Sequence, residues 1–248
     1  MNKALLTIGI LVAMSSLTIS QIAKVKESNQ LPTSAANSPK VTLTYFGAAG
    51  WEITDGKTVI LLDPLLSRPR YKSSTFSPTE LSGDTRPVIG PTDPLISDSS
   101  VIDAHVKRAD FILVHHTHFD HMMDVPYIAR KTGAFVLGTE STTNVARANG
   151  VLEEKLITIK GGEDFEFGSF SLRIIPSLHW HVEKACSNPG IVPRDIKTSM
   201  YARELVEGGS LAYLLRFNGH QILTFGSMNY IEKELEGASQ CSVDWGRR

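Results

Sequence analysis

At 248 residues, with 42% hydrophobic and 21% charged side chains, the chain has ordinary globular composition and enough apolar material for one packed domain. A formal net charge of −1 excludes the basic surplus of a nucleic-acid binder or of a protein held to an anionic membrane surface. Internal repeats, heptads and nucleic-acid signatures are absent from the sequence, so no nucleic-acid partner is expected.

The first segment reads as a targeting signal. Lys3 precedes an uncharged, mostly apolar run from Ala4 to Ile19, with small residues after it. This predicts a secretory signal peptide over 1–20, cleaved near Ser20 or Ala23, and a periplasmic or secreted product. An uncleaved anchor is the other reading, although the run is shorter than the roughly 20 residues that span a bilayer; membrane contact is then expected only through that segment. Residues 21–40 are polar with two prolines and read as a linker. Cys186 and Cys241 are the only cysteines, and two free thiols are expected.

The domain is expected over 41–248. Val41–Phe46, Trp51–Thr54 and Val59–Leu62 read as strands, the last two around Asp55-Gly56. Residues 67–100, rich in Pro, Ser, Thr and Asp, read as a long loop, either a lid or a disordered insertion. A helix capped by Ser99 or Ser100 runs to Arg108, and Phe111–Val114 is a buried strand. Asp124 is placed to cap a helix that stops at Gly133. Strand Ala134–Leu137 and helix Ser141–Asn149 follow. The rest is strand-rich: Leu156–Ile159, Phe165–Phe167, Leu172–Ile175, and a hairpin of Leu211–Phe217 and Gln221–Phe225 around Asn218-Gly219. Residues 180–209 read as a long connection, and Ile231–Leu235 opens a helix. Two β-rich halves carrying helices suggest an α/β sandwich of four αββα layers.

The chemistry concentrates in His115-His116-Thr117-His118-Phe119-Asp120-His121, four histidines and a carboxylate directly after a buried strand. Imidazole and carboxylate are what zinc and similar borderline metals prefer. His116 and His118, two apart in an extended loop, can grip one ion; Asp120 and His121, after a bend, can face a second.

HTHFDH matches the HxHxDH signature of the metallo-β-lactamase superfamily. TLTYFGAAGWEI and TVILLDP resemble the opening hairpin of its lactonase-like and N-acyl-phosphatidylethanolamine phospholipase D-like branches, and PSLHWH resembles its second histidine motif. The resemblance covers about 41–236. It implies the metallo-β-lactamase αββα sandwich, a first metal on His116, His118 and His179, and a second on Asp120 and His121. Zinc is the expected cofactor, one or two ions, with manganese or iron also compatible. It further implies hydrolysis of an ester, lactone or phosphodiester, a small-molecule or lipid-like substrate, and Asp120 as the catalytic acid–base group. Asp63 would be a structural acid; His115, Trp51, Trp180 and His181 are candidates for supporting the metal or lining the cleft.

Two departures matter. In ILTFGSMN, Ser227 stands where the superfamily has a bridging Asp, and no histidine follows it to supply the last ligand. This leaves open a metal-binding relative with impaired or no turnover. It also predicts a domain incomplete at its C-terminus, lacking a final strand and helix, with apolar surface exposed on the second sheet.

Overall fold

The computed structural model describes residues 40–73, 77–78, 83–180, 188–197, 200–227 and 229–236. The proposed signal segment and most of the linker, together with His181, Cys186 and Cys241, lie outside them.

A six-stranded sheet has the order β1 (Thr42–Gly47), β2 (Gly50–Thr54), β3 (Val59–Leu62), β6 (Phe111–Leu113), β7 (Phe135–Gly138), β8 (Leu156–Thr158). Its first three strands are antiparallel, and β3, β6, β7 and β8 run parallel. The second sheet is antiparallel, in the order β12 (His220–Phe225), β11 (Ser210–Phe217), β10 (Phe170–Ser177), β9 (Asp164–Glu166). Asn218 and Gly219, both at positive φ, make the β11–β12 turn, as an Asn-Gly pair requires.

Alternation along the strands assigns the layers. Val59 and Leu61 of β3 join a core shared with Ile102, Val125, Ile128 and Val145 of the helices. Ile60 and Leu62 face the other way, onto Leu172, Ile174, Leu211 and Tyr213 of the second sheet. The helices on the first sheet are α1 (Ser99–His105), α2 (Phe119–Met122), α3 (Val125–Thr132) and α4 (Glu140–Ala148). On the far side of the second sheet, Ile175, Ala212, Leu214 and Leu223 form a small core against which Leu235 packs.

Several expectations change. On that outer face these four residues are buried, with Leu235 of the 3-10 turn Glu232–Leu235 packed against them, while Phe225 of β12 is exposed. That turn replaces the helix expected from Ile231. Asp98, not Ser99 or Ser100, caps α1, with its carboxylate accepting from the N–H groups of Ser100 and Val101. Asp124 stands at the start of α3 without a side-chain capping bond, since its carboxylate is turned elsewhere. The 67–100 loop is not all irregular: Arg70–Tyr71 (β4) and Val88–Ile89 (β5) pair in parallel.

Candidate metal centre

The parallel strands β3 and β6 end side by side, and the loops leaving their carboxyl ends build the site, where open α/β sheets generally place ligands. His116, His118 and His179 converge there, each offering a ligand atom, with all three atoms within 4.8 Å of one another. Ring centroids are 4.7 Å apart for His116–His118, 4.8 Å for His116–His179 and 4.6 Å for His118–His179. His179 lies just past β10, so the second sheet delivers one ligand to a pair supplied by the first.

The protonation states suit a cation. Burial, reinforced by the neighbouring histidines, holds the His116 imidazolium well below its usual pKa, and burial likewise lowers His118. Both rings are therefore neutral, the form a metal needs. Nδ1 of His116 is buried without a hydrogen-bond partner, an uncompensated polar atom in a polar cluster. Nδ1 of His179 lies 2.9 Å from the Trp180 carbonyl oxygen. A carbonyl only accepts, so Nδ1 donates to it, and Nε2 is the ring nitrogen left outside this bond. Two neutral imidazoles, one with an orphaned nitrogen, converging with a third from the second sheet, fit a zinc-like ion.

Asp120 and His121 stand beside this group rather than in it. The Asp120 carboxylate, half exposed, is 3.6 Å from His121 Nε2, and the His121 ring is 3.8 Å from that of His116. Burial opposes charge on His121, but Asp63 and Asp120 outweigh it and raise its pKa to about 9. In this state His121 is an imidazolium; to ligate a second ion it must first lose that proton.

Asp63 is the hub behind the loop. It is fully buried at a left-handed φ of 37°, unusual for a non-glycine residue. One oxygen accepts from the His115 backbone N–H at 2.9 Å; the other lies 2.6 Å from His115 Nδ1 and 2.7 Å from His121 Nδ1. The His121 contact is off the line of a good hydrogen bond, so its hold is chiefly Coulombic. Burial acts against ionisation of Asp63, but the two imidazoles win and keep its carboxyl well below the usual range. His115 reaches across to the second sheet, its Nε2 2.9 Å from Thr224 Oγ1. Gly226 makes room for it: a Cβ there would lie 2.1 Å from that of His115.

Asp124 is a second latch. Its carboxylate accepts from Leu66 N, Ser67 N and Ser67 Oγ at 2.6–2.8 Å, tying the chain after β3 to the end of the metal loop. Nothing in local sequence distinguishes this from a helix cap; only the partners some 57 residues away do.

The remaining candidates fall into place. Ser227 Oγ accepts from the Trp180 N–H at 2.7 Å, bracing the segment that carries His179. Trp180 is exposed beside that histidine, whereas Trp51 sits in β2 with its ring 4.6 Å from Tyr45 and against the inter-sheet core, a packing role.

A family model described as a β-lactamase superfamily domain matches residues 58–244. Proteins of Staphylococcus aureus strains JH9 and N315, named as metal-dependent hydrolases, are 34% identical over 102 residues, 40% of this chain and 43% of theirs. The chain thus spans less than half the length of these curated relatives in the match. Among solved structures, a metallo hydrolase of the archaeon Ignicoccus hospitalis is 17% identical (TM-score 0.46, covering 75% of this chain and 60% of that one). A possible metal-dependent hydrolase of Veillonella parvula is 18% identical (TM-score 0.47, covering 80% and 67%). With HTHFDH on the loop after β6, and the family model spanning three quarters of its length, the chain belongs to the metallo-β-lactamase superfamily.

Proposed function

We propose that the protein is a zinc-dependent hydrolase of a small ester, lactone or phosphodiester, acting outside the cytoplasm. The observation that carries this reading is the convergence of His116, His118 and His179 within 4.8 Å. An ion held there supplies an activated water and a Lewis acid for the oxygen that gains charge. The chain's own part is to hold that site still and to move a proton. Asp63 and Asp124 fix the loop, Ser227 and the Trp180 carbonyl fix His179, and Asp120, half exposed beside His121, takes up and returns the proton at the mouth of the cleft. The Lys3-plus-apolar-run pattern supports export, and intact-mass analysis of exported protein is expected to show a chain beginning near residues 21–24.

Elemental analysis of the wild type against a His116→Ala/His118→Ala double variant tests the metal assignment; unchanged metal content in the double variant sinks it. Screening the zinc-loaded protein against lactones, phosphodiesters and β-lactams tests turnover. A metal-binding protein with impaired turnover is the second reading. It is favoured by Ser227, a neutral group in the place of the bridging Asp and engaged with the Trp180 N–H. A metal-replete protein with no activity on the whole panel would decide for it.

A further inference from the structure

We infer that Arg68 is an oxyanion-binding residue at the rim of the metal cleft, recognising a phosphate or carboxylate group on the substrate. This deepens the hydrolase reading and rests on it. The segment that leaves β3 sets where Arg68 lies. Asp63 at its start contacts His115 and His121, and Leu66 and Ser67 near its end donate three hydrogen bonds to Asp124, three residues beyond His121. The stretch from Asp63 to Ser67 therefore runs along the metal loop and is fastened to it at both ends. Arg68 is the next residue, so its backbone inherits that registration.

Arg68 is exposed, yet its backbone is held at φ 38°, in the left-handed region that long side chains rarely adopt. Non-glycine residues kept there by surrounding structure concentrate at functional sites. The conformation lays the guanidinium over Gly47 at the tip of the β1–β2 hairpin. A Cβ on Gly47, itself at φ 98°, would lie 2.4 Å from Arg68 Nη1, so the side chain occupies the room that the glycine leaves. The same tip touches the metal support from the other side, since a Cβ on Gly50 would be 3.2 Å from the Asp63 carbonyl oxygen. The guanidinium thus sits where hairpin tip and metal-loop support meet, at the end of the sheet where the ligands emerge.

Among the described residues, nothing accepts from this guanidinium. Arg86 and Arg70 in the same loop share Asp84, Arg108 pairs with Asp110, Arg147 with Glu153 and Arg173 with Asp164. Arg68 keeps its five donors in a planar fork that matches carboxylate and phosphate oxygens. A cation whose backbone is registered to the metal loop favours a substrate that brings one negative group beside it while its reacting centre faces the histidines.

The test uses the zinc-loaded full chain, with inorganic phosphate and acetate as probes, titrated by calorimetry into wild type, Arg68→Gln and Arg68→Lys. Zinc content is measured alongside. Arg68→Gln is expected to weaken the affected anion roughly tenfold or more with zinc content unchanged, and Arg68→Lys, which keeps charge but loses the fork, falls between. An effect confined to phosphate assigns a phosphoryl substrate, and one confined to acetate a carboxylate. Equal binding of both anions by wild type and Arg68→Gln overturns the inference. Loss of zinc from Arg68→Gln also overturns it, by assigning Arg68 to holding the loop. Turnover of a neutral lactone separates the two readings. If wild type hydrolyses nothing but binds phosphate through Arg68, the hydrolase reading fails and the anion site stands.

Discussion

The candidate metal centre is held from two sides by different physics. On the first-sheet side, the loop bearing His116, His118 and His121 is backed by buried acids: Asp63 paired with His121 and bonded to His115, and Asp124 accepting from three neutral donors. On the second-sheet side, His179 is held by neutral hydrogen bonds at the surface: the Trp180 carbonyl, Ser227 and, through Leu178, a bridge to Asn229. Buried charge pairs are costly to break and hold a loop to one geometry, whereas exposed neutral bonds yield. Most of the candidate site is thus backed by buried contacts, and the proposed ligand from the second sheet is the one held by exposed bonds.

The largest effect is expected from breaking the charged side. Asp63→Asn leaves His121 buried without its main counter-charge, and removal of one member of a buried pair costs about 3 kcal/mol or more. The melting temperature is expected to fall by roughly 6–12 °C for a domain of this size, with loss of metal. A variant that melts like wild type would show that the buried charges are incidental.

The same pair gives a pH signature in chelated, metal-free protein. The folded-state pKa of His121 is raised to about 9, against roughly 6.5 when unfolded. Its contribution is therefore fully present below about 6.5 and lost as pH rises through about 9. Asp63 has the opposite sign: its folded pKa is depressed, so its contribution is present above roughly 3.9 and lost only in strong acid. Melting temperature is expected to be flat from about pH 4.5 to 6.5 and to decline toward pH 9. That decline should be largely absent in Asp63→Asn; an equal decline in both would assign it to other groups.

Gly226→Ala tests the seam between the two sides. The added Cβ would lie 2.1 Å from that of His115, so His115 must move off Asp63 or Thr224. Overpacking of this kind costs about 1–3 kcal/mol, measurable by urea denaturation, and an unchanged midpoint would mean that the seam has slack.

Sequence made the charged side easier to read than the neutral one. HTHFDH after FILV announces a metal loop, and Val59–Leu62 is a strand with the bounds the pattern gives, because apolar runs and ligand spacing are local signals. The partners of Asp124 and Ser227 are not local. Asp124 before Pro126 has the look of a helix cap, and its true partners, Leu66 and Ser67, are set by how β3 and β6 pair. Gly226 has the look of an ordinary turn glycine until His115 is placed against it. The two-residue strands β4 and β5 are too short to leave any periodicity.

The smallest effect is expected on the neutral side, from Ser227→Ala. The residue is expected from the superfamily pattern at the bridging-carboxylate position, but its oxygen accepts from the Trp180 N–H at 2.7 Å, one residue past the proposed ligand His179. Alanine leaves that N–H without its partner. Trp180 is exposed, so water replaces the bond, and stability should fall by no more than about 0.5–1.5 kcal/mol. Metal affinity is the more sensitive readout. Loosening the Trp180 backbone also loosens the carbonyl that fixes the His179 tautomer, and lost support of a ligating histidine typically weakens metal binding about 10-fold or more. Here the support acts through the backbone, so a zinc affinity lowered by roughly tenfold at most is expected, with near-normal melting. Ser227→Thr keeps the hydroxyl and should restore it. A zinc affinity that Ser227→Ala leaves untouched would mean that His179 needs no brace, and that the second-sheet side is as fixed as the first.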